Sequence, residues 1–161
     1  MAKTALRSNP HCVFNINMHL VLVTAYRRGV IHSDMLRDLE THICRVCEMA
    51  DMTVLEFSGE ADHVHLLLEL HPNIQPSRLV NSIKTVSSRM MRKDHGESVR
   101  QKLWGDRFWS RSYCLISVGD GATTEIIKST YSSKSVQPDS WGDAIHPHPM
   151  RSLDVEFREV G

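Results

Sequence analysis

The chain has 161 residues, 19 basic and 19 acidic, so it is formally neutral, and 41% of it is hydrophobic. That length fits one domain with a real core. The charge balance argues neither for nor against a nucleic-acid partner, no run is apolar enough to span a bilayer, and no signal segment is read, so a cytoplasmic protein is expected. Four cysteines, Cys12, Cys44, Cys47 and Cys114, are then expected as reduced thiols. Cys44-x-x-Cys47 lies inside a helical pattern without a second pair to complete a zinc site, and reads as packed or idle thiols.

Cys12 to Thr24 alternates as a strand, with Cys12, Phe14, Ile16, Met18, Leu20 and Leu22 on one face and Asn15, Asn17 and His19 on the other. Ser33 is placed to cap a helix carrying Met35, Leu36, Leu39, Ile43, Val46 and Cys47. Met52 to Ser58 reads as a second strand, Gly59 as the break, and residues 59–62 as a hairpin-like return. The next strand opens on Asp62-His63-Val64-His65-Leu66-Leu67-Leu68. Alternation puts His63 and His65 on one face and Val64, Leu66, Leu68 and Leu70 on the other. Two imidazoles on one face suit a divalent metal; they also suit the plain lining of a sheet.

Pro76 or Ser77 starts a helix with Leu79, Ile83, Val86 and Met90 as its apolar stripe and Arg78, Asn81, Ser82, Thr85, Arg89 and Arg92 opposite. Residues 94–111 read as a basic loop studded with Trp104, Phe108 and Trp109, rings that can stack on unpaired bases or pin the loop to the core. From Arg78 to Arg111 nine basic residues stand against three acidic ones, a local patch suited to phosphates. Within it Arg78, Arg89, Arg92, Lys102, Arg107 and Arg111 are the expected phosphate contacts, unless the patch is simply a solvated helix and loop. Ser112 to Val118 reads as a fourth strand, and Asp120 caps a last helix from about Ala122 to Ser135 that carries Tyr131 among serines and threonine. The order matches a ferredoxin-like split βαβ fold, an α+β class with an antiparallel sheet, helices on one face and an extra C-terminal helix. Residues 10–135 are read as the domain. Residues 136–161 form an acidic, proline-containing tail with a second, peripheral pair, His146-x-His148, and an alternating stretch from Leu153 to Val160.

These pieces, taken in order, resemble the single-tyrosine HUH transposases of small bacterial and archaeal insertion sequences. The resemblance rests on His19 through Tyr26-Arg27, on Asp62-His63-Val64-His65-Leu66, on Leu103-Trp104 with Phe108-Trp109 and Ser112-Tyr113, and on Tyr131. It implies Tyr131 as the nucleophile that cleaves single-stranded DNA through a 5′-phosphotyrosine. It also implies His63 and His65 as ligands of magnesium or manganese, and no nucleotide cofactor. The expected partner is single-stranded DNA with hairpins at element ends, bound by a homodimer whose tyrosine helices act in trans, in a prokaryotic cytoplasm and on the nucleoid when bound. The family pattern has a glutamine one turn after the tyrosine, where this chain has Ser135; the missing third ligand is then Ser135, Gln137, water or a substrate phosphate. That departure keeps open a hairpin-DNA-binding protein with weak or no cleavage. Outside the resemblance, a zinc hydrolase using His63, His65 and Glu69 or Asp62 is a further reading.

Overall fold

A computed structural model of the chain describes residues 6–119. The expected tyrosine helix, with Tyr131, Ser135 and Gln137, and the 136–161 tail lie outside the described residues. Short strands β1 (Arg7–Asn9) and β2 (Cys12–Phe14) pair as a ribbon. The body then runs β3 (Ile16–Val23), α1 (Ser33–Met49), β4 (Thr53–Gly59), β5 (His63–Leu70), α2 (Pro76–Asp94), α3 (Gly96–Lys102) and β6 (Cys114–Val118). Its four-stranded sheet has the order β4-β5-β3-β6, with every neighbouring pair antiparallel. This is the ferredoxin-like split βαβ arrangement that the element order predicts.

The helices form one layer on one face of the sheet. Leu20 and Leu22 of β3 and Val64, Leu66 and Leu68 of β5 meet Met35, Leu39 and Ile43 of α1 and Val80, Ile83 and Met91 of α2, all fully buried. Their helical and alternating spacings aim these two sets of side chains at one another.

Several boundaries differ from the expectation. The first strand is two, β2 and β3, with Asn15 between them. His32 rather than Ser33 is the N-cap of α1: its ring nitrogen accepts from the Met35 N–H at 3.4 Å. Helix α1 ends where Asp51 turns left-handed (φ 56°), letting the Met52 and Asp51 N–H groups close on the Cys47 and Glu48 carbonyls. The expected 94–111 loop contains α3. Its Phe108 and Trp109 are core residues, and the Trp109 indole donates to Ser87 Oγ at 2.8 Å. Pinning therefore wins over base stacking for those two rings, while Trp104 stays exposed.

Candidate metal and DNA-processing site

Strand β5 delivers its two histidines as the alternation requires. Val23 faces His63 and Val21 faces His65 across the β3–β5 ladder. The His63 and His65 rings lie 4.9 Å apart at 82°. His19, from the neighbouring strand, stacks on His65 at 5.2 Å and 15°. Because β3 is central it is buried on both faces, and His19 itself is only 1% exposed.

Asp62 organises the site's edge. His63 Nδ1–H donates to Asp62 Oδ1 at 2.6 Å, and Arg27 Nε donates to Asp62 Oδ2 at 3.2 Å. Burial works to raise the Asp62 carboxyl, but the hydrogen bonds and positive charge of His63 and Arg27 outweigh it, holding the group below the usual carboxylate range. In the neutral ring, a proton kept on Nδ1 by Asp62 leaves Nε2 of His63 as the lone-pair nitrogen, the tautomer a metal requires. Glu60, one turn away in the β4–β5 connection, joins Asp62 and His63 in a group whose ligand atoms all lie within 4.8 Å of one another. Imidazole nitrogen from β5 with carboxylate oxygen beside it is a donor set that fits manganese or magnesium better than two imidazoles alone. His63 belongs to both the histidine pair and the carboxylate group. Glu60 was not singled out by sequence reasoning, because an acid in a hairpin return carries no pattern that separates a ligand from solvated charge.

The remaining candidates are dispersed. Glu69 is buried but paired with Arg7 at 3.6 Å, at the far end of β5 from His63, which removes it from the hydrolase reading. Arg78 and Arg89 are exposed on α2, and Arg107 and Arg111 are exposed before β6. Arg92 donates to the Gly105 carbonyl at 2.8 Å, and Lys102 donates to the Gly29 carbonyl at 2.7 Å, so both hold connections together. Cys47 is buried in the core, where burial, with Cys44 and Glu48 nearby, pushes its thiol up to about 12. It is an inert packed thiol. Among the described residues no helix is long and apolar enough to cross a membrane.

The family described as "Transposase IS200 like" matches residues 12–131. The transposase for insertion sequence element IS200 of Salmonella typhimurium is 28% identical over 144 residues, covering 89% of this chain and 92% of that protein. The ISDra2 transposase TnpA of Deinococcus radiodurans is 28% identical over 116 residues, covering 72% of this chain and 82% of its own. A crystal structure of a candidate transposase from Deinococcus radiodurans superposes with a TM-score of 0.68 at 22% identity, over 79% of this chain and 97% of that one. That last likeness concerns the fold. The match that spans both histidines and reaches Tyr131 assigns the family: the chain belongs to the IS200-like transposases, a family of DNA-processing enzymes.

Proposed function

We propose that this transposase cleaves and rejoins single-stranded DNA at insertion-sequence ends, with Tyr131 as its nucleophile. The observation that carries the reading is the pairing of His63 and His65 on one face of β5, with His63 oriented by Asp62 at 2.6 Å. In the proposed step the Tyr131 oxygen attacks the scissile phosphorus and gives up its proton. The bond from phosphorus to the 3′-oxygen breaks, and that oxygen leaves as a hydroxyl. A 5′-phosphotyrosine remains; a second 3′-hydroxyl then attacks its phosphorus, the bond from phosphorus to the Tyr131 oxygen breaks, and the phenol is regenerated with a proton, so strands rejoin without ATP. Magnesium or manganese, held by His63 and His65 with oxygen from Ser135 or Gln137 or from the neighbouring carboxylates, would supply charge stabilisation at the phosphate. Asp62 and Arg27 serve as positioning residues for His63.

The partner is single-stranded DNA with hairpins at the element ends, bound in the cytoplasm by a homodimer with tyrosine helices acting in trans. The test is a denaturing gel of the full chain with a hairpin-bearing single strand and manganese. Wild type should form a covalent protein–DNA adduct and Tyr131→Phe none. Mixing Tyr131→Phe with His63→Ala should restore adduct if sites are assembled in trans. Hairpin binding without adduct by wild type would instead select the non-cleaving DNA-binding protein, the reading favoured by Ser135 at the expected glutamine position.

A further inference from the structure

We infer that Tyr26 and Trp104 form a base-stacking subsite for single-stranded DNA beside His63, an inference that rests on the function proposed above and names a part of its substrate site. Three non-glycine residues among those described have positive φ: Tyr26 (58°), Arg27 (51°) and Asp51 (56°). Asp51 ends a helix. Tyr26 lies instead inside the three-residue turn Ala25–Arg27. A bulky aromatic residue in the left-handed region is disfavoured by its own backbone sterics. Burial does not offset that cost, because the residue is 74% exposed.

The neighbouring bonds enforce the strain. Thr24 anchors the turn to the start of the histidine strand, its N–H and hydroxyl both donating to the Asp62 carbonyl at 2.9 and 3.1 Å. The same hydroxyl also lies 2.7 Å from the Arg28 carbonyl. The Arg27 N–H returns to the Thr24 carbonyl at 3.0 Å. The result turns Arg27 back onto Asp62 and leaves the Tyr26 ring in solvent. Strain held in this way is found at ligand clamps more than elsewhere.

A second ring stands on the adjoining connection. Trp104 is 75% exposed, and the Arg28 guanidinium lies over it at 4.9 Å. The two connections are tied together: the Ala25 N–H donates to the Phe108 carbonyl at 2.9 Å, the Ser110 N–H donates to the Val23 carbonyl at 2.8 Å, and Lys102 reaches the Gly29 carbonyl. Buried Phe108 and Trp109 anchor the second one from below. Both rings are thus exposed on braced backbone: Tyr26 on the turn that follows Val23, which faces His63, and Trp104 joined to that turn through Arg28. Arg28 and Arg107 add positive charge, against Asp106 and the Asp62–Arg27 pair. Exposed rings interleaved with arginines offer π-faces to bases and cations to phosphates, the combination that unpaired strands require.

The test uses the full chain without metal, titrated into a fluorescent oligothymidylate and, separately, an abasic oligomer of equal length. Tyr26→Ala and Trp104→Ala should each weaken oligothymidylate binding by about five- to a hundredfold, and should match wild type on the abasic oligomer. Tyr26→Phe should bind as wild type does. Tyr26→Gly should melt at or above the wild-type temperature, because glycine accepts the left-handed turn, yet bind as weakly as Tyr26→Ala. Unchanged binding in both alanine variants, or equal losses on the abasic oligomer, would overturn the subsite. The adduct gel of the same proteins reports separately on Tyr131. Adducts with unaltered oligothymidylate binding would sink the subsite and leave cleavage standing, whereas stacking losses without adducts would do the reverse.

Discussion

His65 is 8% exposed and sits between His19, stacked on it, and His63, edge-on to it, whereas His63 lies nearer the sheet's rim with its Nδ1 held by Asp62. The two imidazoles therefore differ in what their loss costs the fold. His65→Ala removes a buried ring from a packed stack and should cost about 1–3 kcal/mol in chemical denaturation; His63→Ala should cost about 1 kcal/mol or less. Both should abolish manganese binding measured by calorimetry on the DNA-free chain. Equal destabilisation would contradict the packing difference, and manganese binding that survives in both variants would remove the histidines from the metal site. At this scale the alternation of Asp62 to Leu68 made the shared face of the histidines legible. The link from Arg27 through Asp62 to His63 was not, because it depends on two left-handed residues, Tyr26 and Arg27, with no glycine or asparagine to announce the turn. His19 was legible as facing away from Leu20, but not as stacked on His65, which needs the pairing of β3 with β5.

The β4–β5 hairpin carries Glu60, Asp62 and His63, and its placement against α1 is set by Gly59. A Cβ there would meet Leu36 Cδ1 at 2.7 Å, Val64 Cγ1 at 2.9 Å and the His63 carbonyl oxygen at 3.0 Å. Leu36 can swing, but the β5 atoms are fixed by the ladder. Gly59→Ala should therefore lift the hairpin from the helix, destabilise the fold by about 1–3 kcal/mol, and weaken manganese binding as His63 moves with it. A variant with wild-type stability would show that the hairpin is free to adjust. Sequence marked Gly59 as a break; its actual work is to permit close approach of helix and strand, a tertiary requirement that composition cannot state. The same reason explains the missed α3. Val99 is its only buried residue, so Gly96 to Lys102 has no apolar stripe, and its place is set by docking after α2. The long amphipathic α1 and α2 were legible as helices because each carries several turns of apolar spacing, but the buried stripe of α2 is rotated from the one read: Val80 and Met91 are buried with Leu79 and Ile83, while Val86 is exposed.

Among the described residues, one sheet face is committed to the helical core and the other presents the histidines, and the basic residues from Arg78 to Arg111 are spread over α2, α3 and the connection before β6. Their summed charge was legible in the sequence; their division of labour was not, since it depends on which side chains find carbonyls. Arg92 and Lys102 spend donors on Gly105 and Gly29, and the Arg92 Nε is buried without a hydrogen-bond partner. Arg78, Arg89, Arg107 and Arg111 are exposed and give a strand's phosphates accessible cations. Each phosphate neutralised releases condensed counterions, so each such contact contributes about 0.7 to the slope of log affinity against log salt for a single strand. Arg89→Gln and Arg107→Gln should each flatten that slope by about 0.7, and their combination by about twice as much, with little change in stability. Arg92→Gln should leave the slope nearly unchanged. It should instead lower the melting temperature, because the Gly105 carbonyl loses its donor and the connection bearing Trp104 loosens. Titrations of oligothymidylate at several salt concentrations, with thermal melts of the same proteins, separate the two behaviours. If the Arg92 variant flattens the slope as much as the Arg89 variant does, then its bond to Gly105 gives way to phosphate on binding, and the basic surface works as one undivided patch.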